Sequence, residues 1–220
     1  MTYEVNINAV RNPEGSLRGF ASVVFEDCFK ISNIAIIENK DGELFVSMPR
    51  YVSGNEQGEY KDICNPITKE FRENLYNAIL GAFQDHLEKG IKKIRVGAVN
   101  TKKLEFNVRV TPFEKEGSNI RGLARIYLED CFVINNVTLL QGKNGVFVAM
   151  PSYKTKQMDA QGKAVYQDVC FPVTKEFRER LYGEVKHIYE QVLEKQQKEE
   201  RGEGVRDVSE EWLEKDGTVR

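Results

Sequence analysis

The stretch Glu26-Asp27-Cys28-Phe29 decides how this chain is read, because Glu129-Asp130-Cys131-Phe132 repeats it downstream. Working outward, Phe45-Val46-Ser47-Met48-Pro49 returns as Phe147-Val148-Ala149-Met150-Pro151. Thr68-Lys69-Glu70-Phe71-Arg72-Glu73 returns as Thr174-Lys175-Glu176-Phe177-Arg178-Glu179. The blocks keep their order at offsets between 102 and 106 residues. That period is too long for a solenoid element and marks one small domain copied once. We expect a first repeat over 1–89, a basic linker over 90–103, a second repeat over 104–195, and a charged tail over 196–220, into which the last helix runs before it loses fixed structure and in which Trp212 is a candidate docking element. A unit of about 85 residues buries only about 60–65% of its unfolded surface and is marginal alone. Packing the two repeats against each other is a natural remedy, and a fused pair does in one chain what a symmetric homodimer does with two.

Each repeat carries the same pattern of elements. Tyr3, Val5, Ile7 and Ala9 alternate with polar residues, as do Leu104, Phe106, Val108 and Val110, which is the period of a half-buried strand. Further strands are predicted over 17–25, 29–37 and 43–48, matched by 120–128, 132–140 and 146–150. Glu26-Asp27 and Glu129-Asp130 read as tight turns, and Asp41-Gly42 and Asn144-Gly145 as hairpin turns that accept positive φ. Polar loops follow at 50–59 and 152–164, the repeat offset rising from 102 to 106 across them, and a short strand or extended stretch is expected at 60–64 and 166–170. Thr68 and Thr174 then suit helix N-caps. Beyond them apolar residues recur at helical spacing, among them Phe71, Leu75, Ile79 and Phe83, then Phe177, Leu181, Val185 and Ile188. The expected class is α+β, with a small antiparallel sheet of four to five strands and a C-terminal helix in each repeat, the two packed as an intramolecular pseudo-dimer. Gly90–Lys103 reads as a linker or an extra edge strand.

Composition narrows the function. Hydrophobic residues make up 40% and charged residues 30% of the chain, the balance of a water-soluble globular protein. No apolar run approaches the roughly 20 residues of a membrane span, and the start of the chain has no secretory pattern, so a cytoplasmic protein without membrane contact is expected. The net charge of -2 is uneven: residues 85–103 carry +4 and residues 1–84 carry -4. A global basic footprint for nucleic acid is absent, and any such activity rests on local patches. The four cysteines occupy two positions per repeat, none in C-x-x-C spacing, which predicts free thiols and no metal site. A Cys28–Cys64 contact within one repeat stays open. His86 and His187 are far apart, and no nucleophile-elbow, P-loop, zincin or dinucleotide fingerprint occurs, so neither catalytic residues nor cofactors are expected. Asp62 and Asp168 read as turn or helix-entry residues.

The run Phe147-Val148-Ala149-Met150-Pro151-Ser152 and the segments Tyr60-Lys61-Asp62-Ile63-Cys64-Asn65-Pro66-Ile67 and Tyr166-Gln167-Asp168-Val169-Cys170-Phe171-Pro172-Val173 resemble the stage V sporulation protein G (SpoVG, septation regulator) family. Arg18-Gly19-Phe20-Ala21 and Arg121-Gly122-Leu123-Ala124 are similar to the family's strand pattern. The resemblance covers roughly 1–84 and 104–188. It implies a sheet-and-helix fold, dimerisation through the sheet, and DNA or RNA binding tied to septation, sporulation and gene regulation. Two copies in one chain imply intramolecular pairing and a monomeric particle.

The resemblance places nucleic-acid contacts on basic residues of the loop after Met-Pro and near the helix start. These positions are Arg50, Lys61, Lys69 and Arg72 in the first repeat and Lys154, Lys156, Lys175 and Arg178 in the second. Gln167 stands where the first repeat has Lys61. Tyr51 and Tyr153 are candidates for stacking on unpaired bases, against the plainer reading that they pack over the sheet edge. Lys69 and Arg72 share a helix face that Glu70 and Glu73 also balance. Lys92, Lys93 and Arg95 read as a soluble linker or a further basic patch. The competing function is a protein partner bound by a module that kept the fold and lost its basic surface.

Overall fold

The computed structural model describes residues 1–11, 13–52, 58–98, 103–113 and 116–201, with Lys156 and Glu200 followed by backbone only. The first half comprises β1 (Tyr3–Ala9), β2 (Leu17–Phe25), β3 (Phe29–Glu38), β4 (Leu44–Ser47), β5 (Arg50–Val52), β6 (Tyr60–Asp62), β7 (Cys64–Pro66), α1 (Lys69–Lys89) and β8 (Lys93–Val96). The second comprises β9 (Phe106–Pro112), β10 (Ile120–Leu128), β11 (Phe132–Gly142), β12 (Gly145–Ala149), β13 (Ser152–Met158), β14 (Ala164–Asp168), β15 (Cys170–Pro172) and α2 (Lys175–Glu200). The fold is α+β with antiparallel sheets and one C-terminal helix per repeat.

Period two sets the strands. In β2 the residues Ala21, Val23 and Phe25 face the core, and in β10 Ala124, Ile126 and Leu128 do the same. The turns between β2 and β3 and between β10 and β11 carry positive φ at Glu26 (42°), Asp27 (54°), Glu129 (45°) and Asp130 (49°). Two consecutive positive φ values match the right-handed twist of a two-residue hairpin but are costly for glutamate. The Glu26 carboxylate offsets that cost by accepting hydrogen bonds from Thr2 N at 2.5 Å and Thr2 Oγ1 at 2.7 Å. Glu129 accepts one from Glu105 N at 3.1 Å. Both helices start as the sequence predicts: Thr68 Oγ1 accepts from Phe71 N, and Thr174 Oγ1 from Phe177 N.

The sheets are not closed within their own repeats. The long strand β3 pairs β4 over Ala35–Glu38, and over Phe29–Ile31 it pairs β15, which comes from the second half. Reciprocally, β11 pairs β12 at one end and β7 of the first half at the other, with Cys64 opposite Ile134 and Pro66 opposite Phe132. Backbone bonds extend both exchanges: Ser32 N donates to Val169 O at 2.8 Å and Asn135 N to Ile63 O at 2.7 Å. A bulge between the two partners of each long strand is made by Asn33 (φ 60°) and Asn136 (φ 57°), a residue type that tolerates the left-handed region. One continuous core results, containing Val5, Ile31 and Leu75 with Ile126, Ile134 and Leu181. Phe132 of the second half meets Phe25 and Phe71 of the first at 5.2 and 6.4 Å, and Phe29 meets Phe177 at 6.1 Å.

One sequence expectation changes: the polar loops after Pro49 and Pro151 open with strands, β5 and β13, which pair β6 and β14 as two-stranded ribbons. In the segment 90–103 Lys93–Val96 pairs β1 as an edge strand, the alternative the sequence left open. The second helix runs to Glu200, past the repeat boundary at 195, in keeping with a helix that enters the tail. Trp212 and the rest of the tail beyond Arg201 lie outside the described residues.

All four cysteines are free, and the pairing that the fold creates is Cys64 with Cys170, one from each half and both fully buried. A hydrogen bond with the Cys170 thiol and burial hold the Cys64 thiol well above its ordinary range. Burial pushes Cys28 up to about 12 and Cys131 up to about 11. The unfolded chain loses these protons first, so above the ordinary thiol range the native state binds more protons and stability falls with pH. Urea midpoints should therefore decline from about pH 8 to pH 11, each such thiol steepening the slope by up to about 1.4 kcal/mol per pH unit. A midpoint that rises over this range would contradict the assignment.

Candidate nucleic-acid interface

The two ribbons carry most of the sequence-predicted site. In β5–β6 Arg50 lies opposite Asp62, Tyr51 opposite Lys61 and Val52 opposite Tyr60. Arg50 Nη2 donates to Ser47 Oγ at 2.6 Å, and its guanidinium lies 5.9 Å from the centre of the Tyr60 ring. Lys61 and Tyr51 are exposed. In β13–β14 Tyr153 faces Gln167 and donates its hydroxyl to Gln167 Oε1 at 2.8 Å, while the exposed Lys154 faces the exposed Tyr166. The Lys156 side chain lies outside the described residues.

Strand exchange joins residues that are distant in sequence. Arg50 of the first half and Tyr153 of the second line one open cleft of about 490 Å³, floored by Ala35, Ile37 and Phe45 on the outer sheet face and by Met48. Tyr153 therefore lies over the other half's sheet, close to the packing role that the plainer reading assigned it. Tyr51 is not among the cleft residues.

The helix starts divide into two roles. Arg72 Nη2 donates to Pro66 O at 3.1 Å and Arg178 Nη2 to Pro172 O at 3.3 Å. These arginines tie each exchanged strand to the helix that follows it. Lys69 and Lys175 are exposed and, among the described residues, make long pairs with Glu73 (3.8 Å) and Glu179 (3.7 Å), contacts worth little in water. They stay available to a phosphate, at the charge cost a helix N-terminus sets for a cation. The basic segment after α1 is largely consumed: Lys93 pairs Glu4 at 2.8 Å and Arg95 pairs Asp27 at 2.7 Å. The hydrogen bonds from Lys93 and Arg95 lower the pKa of Glu4 and of Asp27.

One cationic pair escaped the sequence reading. Arg109 and Arg125 are directly opposed on the outward face of the second sheet. At the matched positions the first repeat has Asn6 and Ser22, so aligning the two copies would have flagged them.

The SpoVG family model matches residues 1–85 and again residues 105–191. The chain belongs to the SpoVG family. It is similar to the putative septation protein SpoVG of Treponema denticola, 41% identical over 81 residues, which are 37% of this chain and 83% of that protein. The corresponding protein of Caldicellulosiruptor saccharolyticus is 34% identical over 87 residues, 40% of this chain and 94% of its own length. That of Phytoplasma australiense is 37% identical over 76 residues, 34% of this chain and 73% of its own. Each SpoVG relative thus aligns along little more than a third of the chain, as a tandem two-copy fusion requires. Among the described residues no helix is long and apolar enough to cross a membrane.

Proposed function

We propose that this chain is a septation-related regulator that binds DNA or RNA as a single-chain pseudo-dimer. The link to septation rests on the names of its SpoVG relatives. The observation that carries nucleic-acid binding is the convergence of Arg50 and Tyr153, one from each half, on the same open cleft. A guanidinium and an aromatic ring that line one cleft suit a phosphate and an unstacked base. The exposed Lys61, Lys154, Lys69 and Lys175 supply further charge around the ribbons and helix starts. No catalytic step is part of this function.

Binding through a few phosphates should weaken with salt, with a log–log slope near -0.9 per contact on duplex DNA and about -0.7 on single strands. Arg50 is already engaged by Ser47 and Tyr60, whereas Lys154 is exposed without a pair among the described residues. The double substitution Lys154→Ala/Lys156→Ala should therefore weaken binding more than Arg50→Ala, and flatten the salt slope by roughly 1.4 to 1.8. Fluorescence anisotropy against DNA and RNA pools measures both, and equal effects would refute the asymmetry.

A second reading has its own observation. Phe20 and Phe45 on the first sheet's outer face are 38% and 43% exposed, and the matched Leu123 and Phe147 on the second are 39% and 45% exposed. Apolar patches kept on both faces suit a protein partner. Absence of binding to any nucleic-acid pool at low salt would favour that reading.

A further inference from the structure

We infer that the outward face of the second sheet, centred on Arg109, Arg125 and Tyr127, is a separate platform for single-stranded nucleic acid. The inference deepens the nucleic-acid reading above and rests on it, but assigns binding to a surface away from the ribbons and helix starts.

The register makes the face. Arg109 pairs Arg125 across β9 and β10, and Asn107 pairs Tyr127 one step along. Val108, Val110, Ala124 and Ile126 alternate with these residues and pack toward the core, so the arginines point away from α2. Directly opposed side chains on one sheet face have Cβ atoms about 4.5–5.5 Å apart, and like charges there destabilise the sheet. Among the described residues no carboxylate forms an ion pair with either guanidinium. The acids along these strands stand at their ends: Glu105 is exposed before β9, Asp130 accepts from Asn107 Nδ2, and Glu129 accepts from Glu105 N. Arg109 instead lies over the Tyr127 ring, 5.2 Å from its centre. That contact groups the cation and the ring on one exposed face.

The chain supplies its own control. The matched positions on the first sheet are Asn6, Ser22, Val24 and Glu4, and the open edge beside them is covered by β8. On the second sheet β9 is the last strand among the described residues. The same fold is thus stable without the arginines, so folding does not require a charge pair that works against it. A ligand that is anionic and presents flat faces accounts for both the charges and the ring. Unpaired nucleotides have phosphates for the arginines and base faces for the Arg109–Tyr127 pair, whereas a duplex buries its base faces in stacking.

The test uses the full chain and a fluorescein-labelled single-stranded oligothymidylate of about 20 nucleotides, with anisotropy read across a salt series. Arg109→Gln/Arg125→Gln should weaken binding at least about tenfold and flatten the salt slope by roughly 1.4. Tyr127→Ala should weaken it about 5- to 150-fold, the range for loss of one stacked base, and Tyr127→Phe should restore it. The melting temperature of the double variant should be unchanged or higher, because a repulsive pair is removed. Wild-type binding that neither variant alters overturns this platform and leaves the ribbon site standing. A wild-type chain that binds no oligonucleotide overturns both. Equal losses in Tyr127→Ala and Tyr127→Phe overturn stacking on the ring.

Discussion

Phe132→Ala should lower the stability of the whole chain by about 3–5 kcal/mol, the cost of emptying a large buried aromatic site. Phe132 is fully buried and sits where β7 of the first half joins the second sheet, opposite Pro66. Its ring contacts Phe25 and Phe71, so the void opens between the halves and not inside one of them. Typical domains hold only about 5–15 kcal/mol in total, so the variant forfeits a large share. Because the core is continuous, far-UV circular dichroism in urea should show one transition moved to lower denaturant. Two transitions, with only the later repeat affected, would mean that the halves fold independently.

The isolated first half, residues 1–98, should not persist as a one-chain particle. Without the second half, β3 loses β15 along Phe29–Ile31, and β7 has no sheet to join. Buried strand edges and the apolar surface around Phe29 and Cys64 would meet water. Two copies of the half can satisfy one another, each lending its Cys64–Pro66 strand to the other's β3 in the place of β15. Light scattering should accordingly give twice the mass of one half, while the full chain gives the mass of one chain. A stable single-copy half would refute the mutual dependence.

Much of this architecture is legible in residue order, because it depends on local rules. Alternation in Tyr3–Ala9 and its later counterpart, turns at Glu26-Asp27 and Glu129-Asp130, and caps at Thr68 and Thr174 all appear where those rules place them. The exchange of Cys64–Pro66 and Cys170–Pro172 is not legible, since three residues set a conformation but cannot say whose sheet they extend. The ribbon strand Arg50–Val52 is hidden for a related reason: it is exposed throughout, and a strand with no buried side has no period to read. Among the site residues, Arg72 and Arg178 look alike in sequence to phosphate contacts, and only the structure shows that Nη2 of each also serves a backbone carbonyl while the residues stay exposed. Arg109 and Arg125 are not legible as a pair, because each fills the polar half of an ordinary alternating strand. Only the cross-strand register brings them side by side.

The reciprocal exchange has an evolutionary corollary. In an assembly of two identical subunits every substitution arrives twice, once on each side of the axis, and both must be tolerated. Joining the subunits head to tail removes that restriction: one side can keep the older surface while the other explores a new one, and the interlocked strands hold the drifting partners together meanwhile.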